Sequence, residues 1–233
     1  MNYRILSGSA LKMIAVITMG IDHTAWQLLW HWDAFTEPLF MYHHRVVTWY
    51  FLLRCVGRLA FPIFAFLIVE GFIHTRNRRH YGWSLFVCAL ISEIPYALFH
   101  NGLQLMGHNV MFTLLWGFLG LCAVEHYRHD WRRVGGILVA MLAVAFLFRA
   151  EYGGTGFTFI ILLYALRRHL ALQALLGCCL FSFKWVTGLA FIPIAMYNGQ
   201  RGFIKGAIGK YLFYAFYPVH LMIIWLIRQQ LFG

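Results

Sequence analysis

The sequence predicts an all-α, polytopic integral membrane protein of about nine transmembrane helices (roughly eight to ten), with a cytoplasmic N-terminus. Three observations carry this expectation. Of the 233 residues, 61% are hydrophobic and 12% charged, with a mean hydropathy of +0.68; a soluble domain carries about 25% charged residues. Apolar runs recur along the whole chain near the length of roughly 20 residues that crosses hydrocarbon. The basic residues collect in alternate connections between those runs, as retention in the cytoplasm requires.

In order, the runs cover 10–32, 50–74, 81–99, 110–127, 134–149, 156–166, 170–184, 185–197 and 211–227. The two between 170 and 197 are short and are interrupted by Lys184 and Pro193, so a broken helix or a re-entrant hairpin is the alternative there. With the N-terminus inside, the cytoplasmic connections hold Arg4, then Arg76, Arg78 and Arg79, then Arg128, Arg132 and Arg133, then Arg167 and Arg168, then Arg201, Lys205 and Lys210. The outer ones hold Arg45, Arg149 and Lys184. An odd number of spans leaves the C-terminus outside. The formal net charge of +11 is therefore read as topology and attraction to anionic lipid in the bilayer, and no nucleic-acid partner is expected. The first run is long and lacks a small-residue cleavage site, so it is expected to remain as a span. The five cysteines sit in apolar runs without metal-ligand spacing, and no metal is expected. No repeat or linker separates domains, and 1–233 reads as one transmembrane domain.

Function has to come from polar residues kept inside the apolar runs, where each is costly and usually faces a partner or a cavity. The stretch LKMIAVITMGIDHTAWQLLW carries Lys12, Asp22 and His23. Lys12 and His23 are eleven residues apart, which returns them to within roughly 20° of one helix face, about 16 Å apart along the axis. A cation thus stands at the cytoplasmic mouth of a stripe and a base deep along it. Asp22 points about 100° away from His23 and is expected to pair with a cation on another helix. The second run, RCVGRLAFPIFAFLIVEGFIHTR, offers Arg54 and Arg58 one turn apart, with Pro62 disturbing the helix and freeing a carbonyl, and this kinked helix with an Arg deep on its outer half is the candidate partner for Asp22. It also carries Glu70 and His74 as an i,i+4 pair. Further along come Glu93 in SEIPY, His108 and Asn109 in GHNVMF, Glu151 and Tyr152 in RAEYGGTG, and Tyr211, Tyr214, Tyr217 and His220 around Pro218. Asn109 has the chemistry of a helix cap, and the final tyrosines that of an interfacial belt, which leaves His220 unexplained.

The ordered set SALKMIAVITMGIDH, GRLAFPIFAFLIVEGFIHTR, ISEIPYALF, NVMFTLLWG, EYGGTG and KYLFYAFYPVHL resembles the TraX family of bacterial membrane proteins across nearly the whole chain. That family includes the conjugative-pilus protein that acetylates the N-terminus of F-type pilin, and it looks like a small member of a broader group of membrane acyltransferases. The resemblance implies a multi-pass protein of the bacterial cytoplasmic (inner) membrane. It would move acetyl from cytoplasmic acetyl-CoA, as co-substrate, to an acceptor on the outer side: a peptide N-terminus, a cell-surface glycan or a small amine. In the larger O-acyltransferases of that group an Arg followed by ten residues and a His marks the first helix. Here the matching spacing joins Lys12 to His23, which keeps the charge and loses the bidentate fork of an Arg.

Resemblance and spacing converge on His23 and Asp22 as catalytic residues, with His23 as general base or acetyl-carrying nucleophile. Lys12, Arg58, Glu70, Arg76, Asn109, Tyr152, Lys210, Tyr211 and His220 are the expected co-substrate contacts, Asn109, Tyr152 and Arg58 among them as donors to the developing oxyanion. Two other classes compete. A haem carrier would need paired deep histidines on facing helices, and no run shows the pairs that two stacked haems require. A transporter or channel would line a path with Asp22, Glu93 and Lys184.

Overall fold

A computed structural model describes residues 4–42, 45–100, 107–181, 185–204 and 206–232. In chain order the helices are α1 (Gly8–Gln27), α2 (Asp33–Thr36), α3 (Trp49–Gly57), α4 (Ala60–His74), α5 (Arg78–Phe99) and α6 (Val110–His126). There follow α7 (Trp131–Phe148), α8 (Gly153–Ala165), α9 (Leu170–Leu180), α10 (Trp185–Gly188), α11 (Phe191–Ala195) and α12 (Gly206–Phe232). One antiparallel hairpin, β1 (Phe40–Tyr42) and β2 (Arg45–Val47), sets Phe40 opposite Val47. The chain divides into two compact units: Met1–Ile63 with Leu98–Asn101 and Trp185–Gly233, and Phe64–Ala97 with Gly102–Lys184.

In the first unit, α1 starts where the Ser7 hydroxyl accepts the Ala10 N–H at 3.3 Å, satisfying one of the donors a helix start leaves open. The segment after α11 lies along this start. Leu6 N–H donates to the Met196 carbonyl at 2.9 Å, Gly8 to Gln200 at 2.8 Å and Ser9 to Arg201 at 2.9 Å. Ser9 Oγ donates to the Arg201 carbonyl and accepts from Ile204 N–H. Gly202 (φ 88°) makes this approach possible, since a Cβ there would overlap the Ser7 hydroxyl. At the other end of α1 the His31 ring stacks on Phe232 at 4.3 Å. α1 and α12 therefore run in the same direction.

The run 50–74 is two helices. Arg58 and Leu59 form a turn between α3 and α4, because Pro62 cannot donate to the Arg58 carbonyl and its ring crowds that oxygen. Pro95 and Pro218, by contrast, lie inside continuous helices.

In the second unit, α6 packs on α8 where glycines take the place of side chains. A Cβ at Gly117 would overlap Ile160, and one at Gly120 would come within 2.7 Å of the Phe157 ring. Small residues at such crossings allow close backbone approach. Phe72, Tyr81 and Phe118 form an aromatic core, with ring centroids 5.7 Å apart for Phe72 and Phe118 and 4.9 Å for Tyr81 and Phe118. The charges segregate to the two ends of this unit. Tyr164 donates to Glu125 at 2.9 Å, Arg128 pairs with Glu125 at 3.4 Å, and Arg167 covers the Tyr164 ring at one end. Glu93, His108 and the 149–151 turn meet at the other.

The expectation of about nine spans is corrected. Among the described residues four helical stretches are long and apolar enough to cross a membrane: Trp49–His74, Arg78–Phe99, Trp131–Phe148 and Ile208–Phe232. α1 has the length, 20 residues, but Lys12, Asp22 and His23 lower its hydropathy. α6, α8 and α9, with 17, 13 and 11 residues, reach about 26, 20 and 17 Å at 1.5 Å per residue, short of a hydrocarbon core of about 30 Å. Between 185 and 195 the chain is broken into α10 and α11, in line with the broken-helix alternative.

Candidate functional site

In the first unit His23, Asp22, Arg54 and His220 meet among α1, α3 and α12. His23, half-buried on α1, places Nδ1 2.7 Å from Nε2 of His220 on α12, with ring centroids 5.0 Å apart and planes 17° from parallel. Phe99 meets the His23 ring edge-on at 5.1 Å. His220 is only 8% exposed; its Nδ1 lies 2.8 Å from the Phe216 carbonyl one turn back, and its ring stacks on Phe216 at 4.6 Å.

Asp22 turns to α3, as its angle to His23 requires. The partner is Arg54: Nη1 donates to Asp22 Oδ2 at 2.6 Å and to the Asp22 carbonyl at 3.4 Å, while the guanidinium lies over Trp26 at 5.1 Å. Trp26 in turn meets Phe99 and His100 edge-on at 5.5 and 4.8 Å. The Gln27 side-chain amide donates to the Phe99 carbonyl, which ties the end of α5 to α1. Asp22 Oδ1 is buried and accepts no hydrogen bond among the described residues.

Lys12 shares the His23 face. Its Nζ lies 5.9 Å from the Phe213 ring on α12, so one helix faces both residues. Lys12 and Arg201, close enough to repel each other, have no carboxylate partner among the described residues. Lys210 lies over the rings of Tyr211 and Tyr214 at 5.4 and 5.7 Å, and Tyr211 is exposed. Arg58, half-buried, makes no ion pair among the described residues.

Glu70, Arg76, Asn109 and Tyr152 belong to the second unit. Glu70 lies 3.7 Å from His74 Nδ1, which donates to the Glu70 carbonyl at 2.9 Å; Arg76 is exposed. Asn109, fully buried, caps α6 by accepting the Met111 N–H at 3.0 Å, and its amide group donates to the Ala89 carbonyl and to Glu93. Its donors are thus committed to protein acceptors. Glu93 also accepts from His108 Nδ1 at 2.7 Å, and the His108 ring stacks on Phe148 at 4.0 Å. Tyr152 sits at φ 63° before α8 and meets Phe181 edge-on at 6.0 Å. Lys184 and Lys205 lie outside the described residues.

The sequence offers the helix of Arg54 and Arg58 as the partner of Asp22 without choosing between the two, and it does not single out Trp26, Phe99 or His100. The signal was present: a carboxylate in mid-helix needs a cation at similar depth, and Arg54 and Arg58 alone stand on the neighbouring run.

The class defined by this architecture is a helical, membrane-type protein whose first helix supplies, from adjacent residues, one member each of an imidazole pair and a carboxylate–guanidinium pair. Within that class the chain belongs to the TraX protein family, which it matches over residues 7–228. It is similar to the probable fimbrial assembly protein FimC, serogroup H1, of Dichelobacter nodosus, with 29% identity over 252 aligned positions that cover 94% of each chain. No solved structure matches it.

Proposed function

We propose that this chain is an acyltransferase of the bacterial cytoplasmic membrane, moving acetyl from cytoplasmic acetyl-CoA to an acceptor amine or hydroxyl on the outer side. The observation that carries the reading is the His23–His220 contact at 2.7 Å. It sits on the same face of α1 as Lys12, about 16 Å away. An anionic nucleotide with a long uncharged arm suits a cationic mouth and a reactive base farther along one stripe. Lys12 and Arg201, which have no carboxylate partner among the described residues, hold the phosphates at that mouth in this reading.

The step itself is acyl transfer. The acceptor heteroatom attacks the thioester carbonyl, the new C–N or C–O bond forms, and the C–S bond breaks. His23 takes the acceptor's proton and returns it to the departing thiolate. In the two-step variant His23 is itself acetylated and then hands the acetyl on. Among acceptors, similarity to a probable fimbrial assembly protein favours the N-terminal amine of a pilin-like subunit over a glycan hydroxyl.

The test is acetyl-CoA binding by calorimetry to detergent-purified protein, together with release of free thiol from acetyl-CoA in the presence of a pilin N-terminal peptide. Wild type is expected to bind and turn over, His23→Ala to bind without turnover, and Lys12→Ala to bind weakly. No binding by folded wild-type protein overturns the reading.

A further inference from the structure

The imidazole pair is anchored at one end by a group that can only accept. The Phe216 carbonyl lies 2.8 Å from His220 Nδ1, so that nitrogen carries the hydrogen. A neutral imidazole has one N–H and one lone pair, which leaves His220 Nε2 as an acceptor. The atom facing it at 2.7 Å is His23 Nδ1, which must then donate. The lone pair of His23 is left on Nε2, for which no hydrogen-bond partner occurs among the described residues.

We infer that His220 is a positioning residue that fixes the tautomer of His23, presenting Nε2 of His23 as the reactive atom. A second-layer acceptor that holds Nδ1–H is the usual way a protein selects which imidazole nitrogen reacts. The acceptor here is neutral and comes from α12 rather than from the adjacent carboxylate. Asp22 does not serve: its carboxylate turns to Arg54 on α3, and among the described residues the partner of His23 Nδ1 is His220. Phe216 and Phe99 hold the two rings from their faces and edges, which restricts rotation that would exchange the nitrogens. The inference deepens the transferase reading, and it fixes the atom used whether His23 acts as base or as acetyl carrier.

The test has a readout that does not need turnover. Protein labelled with 15N-histidine and held in detergent micelles is compared with its His23→Phe form to assign the His23 signals, and two-bond 1H–15N correlations give the tautomer. Wild type is expected to show His23 with Nδ1 protonated and Nε2 bare. His220→Phe, which keeps the ring volume and removes the acceptor, is expected to abolish that preference. His220→Gln, whose amide oxygen can still accept, is expected to keep it in part. If the transferase reading holds, kcat falls on the order of 10²-fold or more in His220→Phe, with the KM for acetyl-CoA little changed, and His220→Gln retains more activity. Wild-type His23 protonated on Nε2 with a bare Nδ1 overturns the inference. That result leaves the transferase reading standing, and absent turnover with the expected tautomer does the reverse.

Discussion

Asp22 and Arg54 close a 2.6 Å ion pair between α1 and α3, and the pair exists because residue 57 has no side chain. The Asp22 carboxyl fills the space into which a Cβ at Gly57 would project. Gly57→Ala is expected to drive α1 and α3 apart at a cost of about 1–3 kcal/mol. Gly135, with open space where its Cβ would stand, is the control. Thermal unfolding in detergent should lower the midpoint for Gly57→Ala alone, and equal shifts in both variants refute the packing argument.

Removing one member of a partly buried pair leaves the other without compensation, which costs about 3–5 kcal/mol when burial is deep. Asp22→Ala and Arg54→Ala are each expected to destabilise strongly. The double variant should lose clearly less than their sum. A double-mutant cycle that gives simple additivity would mean that Asp22 and Arg54 do not sense each other.

Asn109 does three jobs with one side chain: it caps α6, bonds the Ala89 carbonyl and supports Glu93. A lost cap costs about 1 kcal/mol, and each buried polar group left unsatisfied roughly 1–3 more. Asn109→Ala should therefore destabilise by more than 2 kcal/mol, to order of magnitude, and hydrogen exchange should rise first at the start of α6. Protection that is unchanged at Met111 and Phe112 would exclude the cap as the cause.

If Lys12 acts as a point charge on phosphate, Lys12→Arg should keep acetyl-CoA binding within a few-fold and Lys12→Glu should lose about tenfold or more, the equivalent of 1.4 kcal/mol. Raising salt should weaken wild-type binding and leave Lys12→Ala less affected. Salt dependence that is the same in both proteins would remove Lys12 from the phosphate contact.

How much of this was legible follows from what each residue's partner depends on. Asp22 could be assigned an interhelical cation because its angle to His23 is set by helix geometry alone, and its run had few cations within reach. A disturbance near Pro62 was likewise legible, whereas its outcome, a turn at Arg58 and Leu59 that divides the run into two helices, was not. Asn109 as a cap is a local matter of one side chain and the next two residues. The His23–His220 contact was not legible: the residues are 197 positions apart, and nothing local to either names the other. The Glu93–His108 bond was likewise hidden, although both residues had been noted. The helix count failed for a different reason. Apolar composition persists through α8, α9 and the α10–α11 break, but helices of 13 and 11 residues are too short to cross hydrocarbon, and composition does not register length.

The pairing of α1 with α12 has a consequence for how the protein is made. His23 leaves the ribosome long before His220, and at about 5–20 residues per second the delay over 197 positions is roughly 10–40 s. The backbone partners of Leu6, Gly8 and Ser9, at residues 196, 200 and 201, are almost as late. The Asp22–Arg54 pair forms early and can shelter one charge in the growing chain, but Lys12 and His23 must wait without the helix that faces them. A nascent chain stalled before the last helix therefore leaves the polar face of α1 uncovered, and it should be cleaved by proteases more readily than the finished chain.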